Sequence, residues 1–250
     1  MEEEQKIQED QYNYPYHYIP SVDGDTLSQV RYWSWGFRYL GGLQVVFDQL
    51  ESIDFDSLID VGCGDGRFLH EMSDRYPGKE ILGVDYSRRA IDLAEVMSPS
   101  VEFRCQNILD DGIDERFDVA VLIEVFEHIP PDDLDAFVDA TARLLDSGST
   151  LIATIPHTNK WVSDKHYQHF NQSKLQDLLA PHFTNTEFFH IDDISSTLLE
   201  YLQSLVGGDG EHFVVTDSRI MTVFWRLYRR HYLYTTRDRC GRIAVVAEKE

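Results

Sequence analysis

The stretch SLIDVGCGDGRF, residues 57–68, decides the fold. Its apolar start is short and ends in glycine, as a buried parallel strand does, and a helical pattern follows from about Arg67 to Tyr76. Glycines between a strand and a helix let the backbone turn tightly and approach a ligand without a Cβ in the way. The stretch therefore predicts a strand–loop–helix unit with a ligand-binding loop over Asp60–Gly66.

Downstream of this unit, short apolar runs alternate with helical patterns of about ten residues. The predicted strands cover residues 57–62, 80–85, 101–105, 117–125, 149–156, 183–191 and 241–249. The predicted helices between them cover residues 67–76, 88–97, 130–145 (opened by Pro130-Pro131 and closed by Ser147-Gly148) and 173–179. Such alternation is typical of right-handed βαβ units. We expect an α/β fold with a doubly wound (Rossmann-like), mostly parallel seven-stranded sheet.

Two segments exceed what this sheet requires. We treat residues 1–250 as a single domain with a core of about 51–191 plus 241–250. Residues 16–50 are expected to form an N-terminal helical cap, and residues 192–240 a helical insertion before the last strand, since so long a connection is usually a lid or a small subdomain. Their helical patterns cover residues 27–50 (interrupted at Gly41-Gly42), 196–205 and 220–232.

The composition is that of a globular protein, with 42% hydrophobic and 26% charged residues. No run approaches the ~18 apolar residues of a membrane span. The sequence starts MEEEQKIQED, which resembles neither a signal nor a transit peptide, so a cytoplasmic location is expected. The three scattered cysteines, Cys63, Cys105 and Cys240, indicate reduced thiols and argue against a structural zinc site.

The net charge of −22 is less ordinary. An acidic surface repels a phosphate backbone, so nucleic acid is an improbable partner by charge. The charge fits a high-salt cytoplasm, where salt screens self-repulsion, or simply a soluble acidic protein. Seven arginines lie between Arg219 and Arg242. They either face an anionic substrate or pair with the surplus carboxylates.

Three polar landmarks follow successive predicted strands. The first is G-x-G-x-G from Gly62 to Gly66, with Asp60 two positions before the first glycine. A carboxylate there suits a ligand ammonium better than a diphosphate. Asp85, 19 residues after Gly66, ends the next strand, where a carboxylate can accept hydrogen bonds from ribose hydroxyls. Gln106-Asn107-Ile108 follows the third strand and is placed to meet a base.

These motifs resemble a known family. DVGCGDGRF, GVDYS and FDVAVLIEVFEHI are similar to the successive motifs of class I S-adenosylmethionine (SAM)-dependent methyltransferases, over roughly residues 55–191 and 241–249. The resemblance implies SAM as cofactor, with its methionine part near Asp60, its ribose on Asp85 and its adenine by Asn107, where the family more often has Asp. The cofactor-binding residues so expected are Asp60, Gly62, Cys63, Gly64, Gly66, Asp85, Tyr86, Asn107, Ile108 and Glu124.

The segment E-V-F-E-H, from Glu124 to His128, follows the fourth predicted strand. One interpretation is structural, with a glutamate touching the cofactor and His128 capping the loop. The other joins it to three histidines after the fifth strand, His157, His166 and His169, as an acceptor site. A loop histidine can equally be a buried ring that satisfies backbone groups.

The E-x-x-E-H pattern with a later histidine resembles ubiquinone-biosynthesis O-methyltransferases and small-RNA 2′-O-methyltransferases. That resemblance implies catalytic roles for Glu127, His128, His166 and His169, and a divalent metal (Mg, Mn or Zn) held by Glu124, Glu127, His128 and His169. A metal-bound diol has a lowered hydroxyl pKa. Without a metal, His128 is the candidate general base. Both versions stay open.

The flanking segments resemble those of polysaccharide- and glycolipid-associated methyltransferases. Tyr18, Trp33 and Trp35 suit stacking on sugars, and equally hydrophobic packing of the cap. Arg38 is placed to reach the SAM carboxylate or a substrate anion. The leading hypothesis is O-methylation of a small-molecule or saccharide acceptor. The alternatives are RNA 2′-O-methylation and SAM binding without catalysis.

Overall fold

The structure, a computed structural model, describes residue 6 and residues 21–23, 26–28, 36–110, 112–205 and 218–250. Two short strands, β1 (Ser21–Asp23) and β2 (Thr26–Ser28), pair with each other. Seven further strands form the central sheet: β3 (Ser57–Val61), β4 (Glu80–Asp85), β5 (Glu102–Cys105), β6 (Phe117–Ile123), β7 (Leu145–Pro156), β8 (Phe183–Asp193) and β9 (Cys240–Lys249).

The sheet has the strand order β5-β4-β3-β6-β7-β9-β8. Strands β3 to β7 are parallel, and β9 runs antiparallel to both of its neighbours. The chain moves outward from β3 to β5 and then returns to β6, on the other side of β3. Open α/β sheets bind ligands at the carboxyl ends of strands beside such a reversal. The expected doubly wound, mostly parallel seven-stranded sheet is confirmed.

Helices cover both faces of the sheet. They are α1 (Gly36–Leu50), α2 (Arg67–Arg75), α3 (Arg88–Met97), α4 (Leu134–Arg143), α5 (Gln172–Leu179), α6 (Thr197–Leu205) and α7 (Ser218–His231). Leu58 packs into a core with α1, α2 and α3, whereas its neighbour Ile59 packs into a second core with α4 and α5. None of the helices in the described ranges is long and apolar enough to cross a membrane.

Two predicted boundaries around α4 are wrong. The helix begins at Leu134, because Pro130 belongs to a preceding turn in which its carbonyl accepts a hydrogen bond from Asp133 N at 3.0 Å. Ser147-Gly148 does not end the helix and lies inside β7, which starts at Leu145. Gly148 takes a φ of 87°, so it bends this strand instead of closing a helix.

The N-terminal cap also differs from its prediction. No helix starts at Leu27, which lies in β2, and α1 runs unbroken through Gly41-Gly42. These glycines provide room instead of a break, since a Cβ on Gly42 would lie 2.6 Å from Nη1 of Arg242. Tyr18, Trp33 and Trp35 lie outside the described residues, so their proposed stacking or packing role stays a prediction.

Candidate active site

A cavity of about 530 Å³ opens at the carboxyl ends of the parallel strands. Its walls come from the loops after β3, β6 and β7, and from residues of α1, β8 and β9. Asp60, Gly62, Cys63, Gly64 and Glu124 line it, as expected for a ligand bound beside the β3 loop. The remaining expected cofactor residues are not among its lining residues; they are Gly66, Asp85, Tyr86, Asn107 and Ile108.

The loop after β3 is held in a tight turn. The N–H groups of Gly62 and Cys63 both donate to the carbonyl of Val84, at 2.8 and 3.0 Å. Gly62 has a φ of 76°, and a Cβ there would lie 2.7 Å from Cγ2 of Val125. This position therefore requires glycine. The Cys63 side chain is buried, and burial raises the pKa of its thiol.

Asp60 is buried, with only 2% of its surface exposed. Its Oδ1 has no hydrogen-bond partner among the described residues. Burial, with a smaller contribution from the charge of Asp85, raises the pKa of Asp60 to about 8. A carboxylate that is buried, unsatisfied and beside a cavity is suited to a cationic ligand group.

Asp85 organises the same loop. Its Oδ2 accepts a hydrogen bond from Gly64 N at 3.0 Å, and its Oδ1 accepts one from Ser87 N at 2.8 Å. These two hydrogen bonds hold the carboxylate at the end of β4, beside the glycine loop. The following residue, Tyr86, is 46% exposed.

The third landmark is only partly available to a ligand. Asn107 Nδ2 donates to Asp110 at 2.9 Å, and its Oδ1 accepts from Leu109 N at 3.1 Å, so the amide closes its own turn. The Ile108 side chain is buried in the core shared with α4 and α5. An adenine contact by Ile108 would therefore involve its backbone more than its side chain.

Two glutamates from the β6 end face the cavity. Glu124 has a φ of 56°, a strained conformation for a residue other than glycine, and its N–H donates to Thr154 O at 2.8 Å. Glu127 is fully buried, and neither of its carboxylate oxygens has a hydrogen-bond partner in the described ranges. Burial, reinforced by the charge of Glu124, raises the pKa of Glu127 well above its usual value.

His128 has a defined tautomer. Its Nδ1 lies 2.9 Å from the carbonyl oxygen of Lys165, which can only accept, so Nδ1 carries the proton. Its Nε2 therefore presents a lone pair, 4.0 Å from a carboxylate oxygen of Glu127. Burial is the main cause that lowers the pKa of His128 to about 4, so the ring is neutral at pH 7.

Hydrogen bonds also fix the tautomers of His166 and His169, the two histidines in the loop after β7. Nδ1 of His169 lies 3.2 Å from the carbonyl oxygen of Lys160, so His169 donates there and its Nε2 accepts. That Nε2 lies 2.8 Å from Nδ1 of His166, which must be the donor. His166 is left with a bare Nε2 lone pair, and its ring centre lies 4.8 Å from that of His128.

One carboxylate and two imidazoles converge. Among the described residues, Glu127, His128 and His166 each offer a ligand atom, and these atoms lie within 4.8 Å of one another. The sequence-based set differed, because it contained Glu124 and His169. In the structure Nε2 of His169 accepts a hydrogen bond from Nδ1 of His166. His169 therefore orients the His166 ring and is not itself a member of the convergent group.

His157 does not join this group. Its ring lies 6.5 Å from that of His190, and its Nδ1 accepts a hydrogen bond from Asn159 N at 3.0 Å. His157 is buried and does not appear among the cavity-lining residues. We therefore place it in the supporting structure of the loop.

Sequence reasoning missed a charged wall of the cavity formed by Lys160, Asp192 and Arg242, and the exposed Trp161 at its edge. Because β9 is antiparallel, its first residues lie at the edge where the other strands end, which brings Arg242 to the site. A charged residue in the apolar run GRIAVVAEK was the available signal. Arg38, expected to meet an anion, has its Nε 3.4 Å from Oδ1 of Asp192.

Part of the arginine cluster near the C-terminus pairs with carboxylates. Arg229 lies 3.4 Å from Asp48, and Arg239 lies 2.7 Å from Asp193. Arg242 contacts Asp192 at 3.7 Å. For these three arginines the structure supports pairing with the surplus acidic groups.

Comparison with known proteins agrees with this geometry. Residues 58–148 match a family model described as a methyltransferase domain. Over 110 residues the chain is 34% identical to a ubiquinone biosynthesis O-methyltransferase from Nitrobacter winogradskyi, covering 42% of this chain and 40% of that protein. A ubiquinone biosynthesis O-methyltransferase from Alkalilimnicola ehrlichii is 32% identical over 123 residues, covering 47% and 48% of the two chains. The chain thus spans less than half the length of these curated relatives.

Solved structures share the fold at low identity. The N-methyltransferase NodS from Bradyrhizobium japonicum, solved with S-adenosyl-L-homocysteine, has a TM-score of 0.64 at 13% identity and aligns over 100% of this chain and 99% of its own. The magnesium protoporphyrin IX methyltransferase from Synechocystis, solved with SAM, has a TM-score of 0.58 at 15% identity over 99% and 98%. Residues 58–148 thus match a methyltransferase domain, and the sheet with its glycine-rich β3 loop has the fold of these solved methyltransferases.

Proposed function

We propose that this protein transfers a methyl group from SAM to a hydroxyl oxygen of a small-molecule or glycan acceptor. The observation that carries the proposal is one cavity lined by two chemically different groups of residues. Asp60 and the glycine loop form one group of lining residues, and Glu127, His128 and His166, whose potential ligand atoms converge, form the other. The names of the curated relatives add support for oxygen as the methylated atom.

The residues present fit SAM. The buried and unsatisfied Oδ1 of Asp60 suits the ammonium of its methionine part, and the glycine at 62 gives a backbone surface that a Cβ would obstruct. Asp85, at the carboxyl end of β4, is the residue that we assign to the ribose hydroxyls. When bound, SAM supplies a methyl group on a positively charged sulfur. The chain's own task is then to orient the acceptor and remove its hydroxyl proton.

His128 is placed to take that proton at Nε2, because Nδ1 is already committed to the carbonyl of Lys165. His169 and the Lys160 carbonyl fix the His166 ring in the matching tautomer. A base with a pKa of about 4 is weak toward a hydroxyl. The acceptor hydroxyl must therefore be acidified, or turnover must be slow.

A divalent metal is a second candidate element, favoured by this weak base. Glu127, His128 and His166 would hold it, since two neutral imidazoles and a buried carboxylate with no hydrogen-bond partner among the described residues form a suitable donor set. Such a mixed set suits Mn²⁺ or Zn²⁺ at least as well as Mg²⁺. A bound metal would lower the pKa of an acceptor hydroxyl.

The test is an assay with methyl-labelled SAM on three fractions: host glycans, quinone precursors and RNA, each with and without a chelator. Transfer to glycans or quinone precursors is expected. Transfer to RNA alone would favour the 2′-O-methyltransferase alternative. No transfer to any fraction would leave a SAM-binding protein and contradict the proposed reaction. Chelator-insensitive transfer would contradict the metal.

SAM affinity should depend on pH through Asp60. The carboxyl must lose its proton to meet the SAM ammonium, and its pKa of about 8 means that it is protonated below that pH. Between pH 6 and pH 7 the Kd should fall about tenfold, with about one proton released per SAM bound. Calorimetry in two buffers of different ionisation enthalpy measures both quantities. A flat Kd without proton release over this range would contradict the assignment.

A further inference from the structure

Several charged side chains that line the cavity contact one another. Arg242 is 4% exposed; its Nη2 donates to the backbone carbonyl of Arg38, its Nε lies 3.7 Å from Asp192 Oδ2, and its Nη1 lies 3.9 Å from Glu124 Oε1. Arg38 contacts the other oxygen of Asp192. These four side chains therefore engage one another.

Lys160 lines the same wall but stands apart from this network. Within the described ranges, its ammonium has neither a hydrogen bond nor an ion pair with any carboxylate. Its backbone is fixed on both sides, because Lys160 N donates to His157 O at 3.0 Å and Lys160 O accepts from His169 Nδ1. Burial lowers the pKa of Lys160, with Glu124 acting in the opposite direction. A held, partly desolvated ammonium is suited to an anionic ligand group.

Two anions can meet Lys160: the carboxylate of SAM or a group on the acceptor. Its position favours the acceptor. Lys160 lies on the same loop as His166 and His169, and its carbonyl is the end of the hydrogen-bonded chain that orients the acceptor-side imidazoles. Trp161, the next residue, is 89% exposed at the cavity edge and offers a flat surface for a ring.

We propose that Lys160 binds an anionic group, a carboxylate or a phosphate, carried by the methyl acceptor, beside a ring that lies against Trp161. This inference rests on the proposed methyl transfer and narrows its substrate class to acidic hydroxy compounds. The charge of the bound group would also restrain the acceptor relative to His128.

The probes are three vicinal diols: catechol, which carries no acidic substituent, and its acidic derivatives 3,4-dihydroxybenzoate and (3,4-dihydroxyphenyl)phosphonate. Binding is measured by calorimetry on protein saturated with S-adenosyl-L-homocysteine, and methyl transfer is measured with labelled SAM. Wild-type protein should prefer at least one of the acids over catechol by about 10- to 100-fold in both Kd and kcat/KM, as a charge-assisted contact provides. The carboxylate and phosphonate probes identify which anion is accepted.

In Lys160→Met this preference should fall to near one, and Lys160→Arg should restore part of it. Lys174→Met, which changes an exposed lysine on α5 outside the cavity, is the matched control and should keep the preference. Thermal unfolding checks that each variant is folded.

Equal binding of acids and catechol by wild-type protein would overturn the inference. A Lys160→Met variant that loses S-adenosyl-L-homocysteine affinity, with the acid preference intact, would also overturn it and assign Lys160 to the cofactor carboxylate. Lysine-dependent acid binding without any methyl transfer would support the anion site and contradict the proposed reaction, so the two failures are distinguishable.

Discussion

Replacing Asp60 by Asn should weaken SAM binding by at least about 30-fold and, at the same time, stabilise the ligand-free protein. The loss of affinity follows from removing one partner of a buried charge pair, which costs about 2 kcal/mol or more. The gain in stability follows from the raised pKa of Asp60, because folding buries a carboxylate whose Oδ1 has no hydrogen-bond partner in the part of the chain that the structure describes.

The raised pKa of Asp60 determines the sign of the change in stability. The pKa of Asp60 rises from 3.8 to about 8 on folding, so the folded state binds the extra proton and stability falls as pH rises through this interval. At pH 7 the penalty is about 4 kcal/mol. Asn avoids it, so the variant should unfold several degrees higher at pH 7 and show little difference near pH 4.

Thermal unfolding at both pH values and calorimetric titration with SAM measure these effects. Asp56→Asn is the matched control, because the Asp56 side chain is 99% exposed beside Lys79 and lies away from the cavity lining. An Asp60→Asn variant that binds SAM as well as wild type would show that Asp60 does not meet the ammonium. A variant that is less stable at pH 7 would contradict the raised pKa of Asp60.

His128→Ala should lower kcat by about 10²- to 10⁴-fold and leave the Kd for SAM within about twofold. The range is typical for the loss of a positioned base, and loss of a metal ligand would act in the same direction. SAM binding should persist because our assignment groups His128 with Glu127 and His166 on the acceptor and gives SAM to Asp60, the glycine loop and Asp85.

His182→Ala is the control, since His182 pairs with Asp139 at 3.7 Å and does not line the cavity. Single-turnover methyl transfer and SAM titration separate the two effects. Unchanged turnover in His128→Ala would remove His128 from the chemistry. A parallel loss of SAM affinity would place it in cofactor binding instead.

The fold and the expected cofactor-binding part of the site could be predicted from the sequence, because the motifs that indicate them are local. The turn at Gly62 and the carboxylates of Asp60 and Asp85 follow strands whose alternation with helices defines the sheet. The order of βαβ units then brings their carboxyl ends to one edge. Each inference needed only neighbouring residues and their spacing.

The charged wall with Arg242 and the convergent group of Glu127, His128 and His166 depend on contacts between segments that are distant in the sequence. Arg242 reaches the cavity only because β9 is antiparallel, and Gly42 of α1 makes room for its side chain. The sequence predicted His169 as a member of the convergent group, whereas the structure has His166 there. Which histidine joins the group depends on the backbone carbonyl to which each ring donates, and the spacing of the histidines in the sequence does not reveal this. The predicted end of α4 was wrong because Gly148 bends β7 and does not end a helix.

The most direct measurement of the central claim is calorimetric titration of SAM into purified protein at pH 7. The account predicts saturable binding at one site per chain, with release of about one proton, and an affinity at least about 30-fold weaker in Asp60→Asn but unchanged in Asp56→Asn. Absence of saturable SAM binding, or binding that Asp60→Asn leaves intact, would contradict the account.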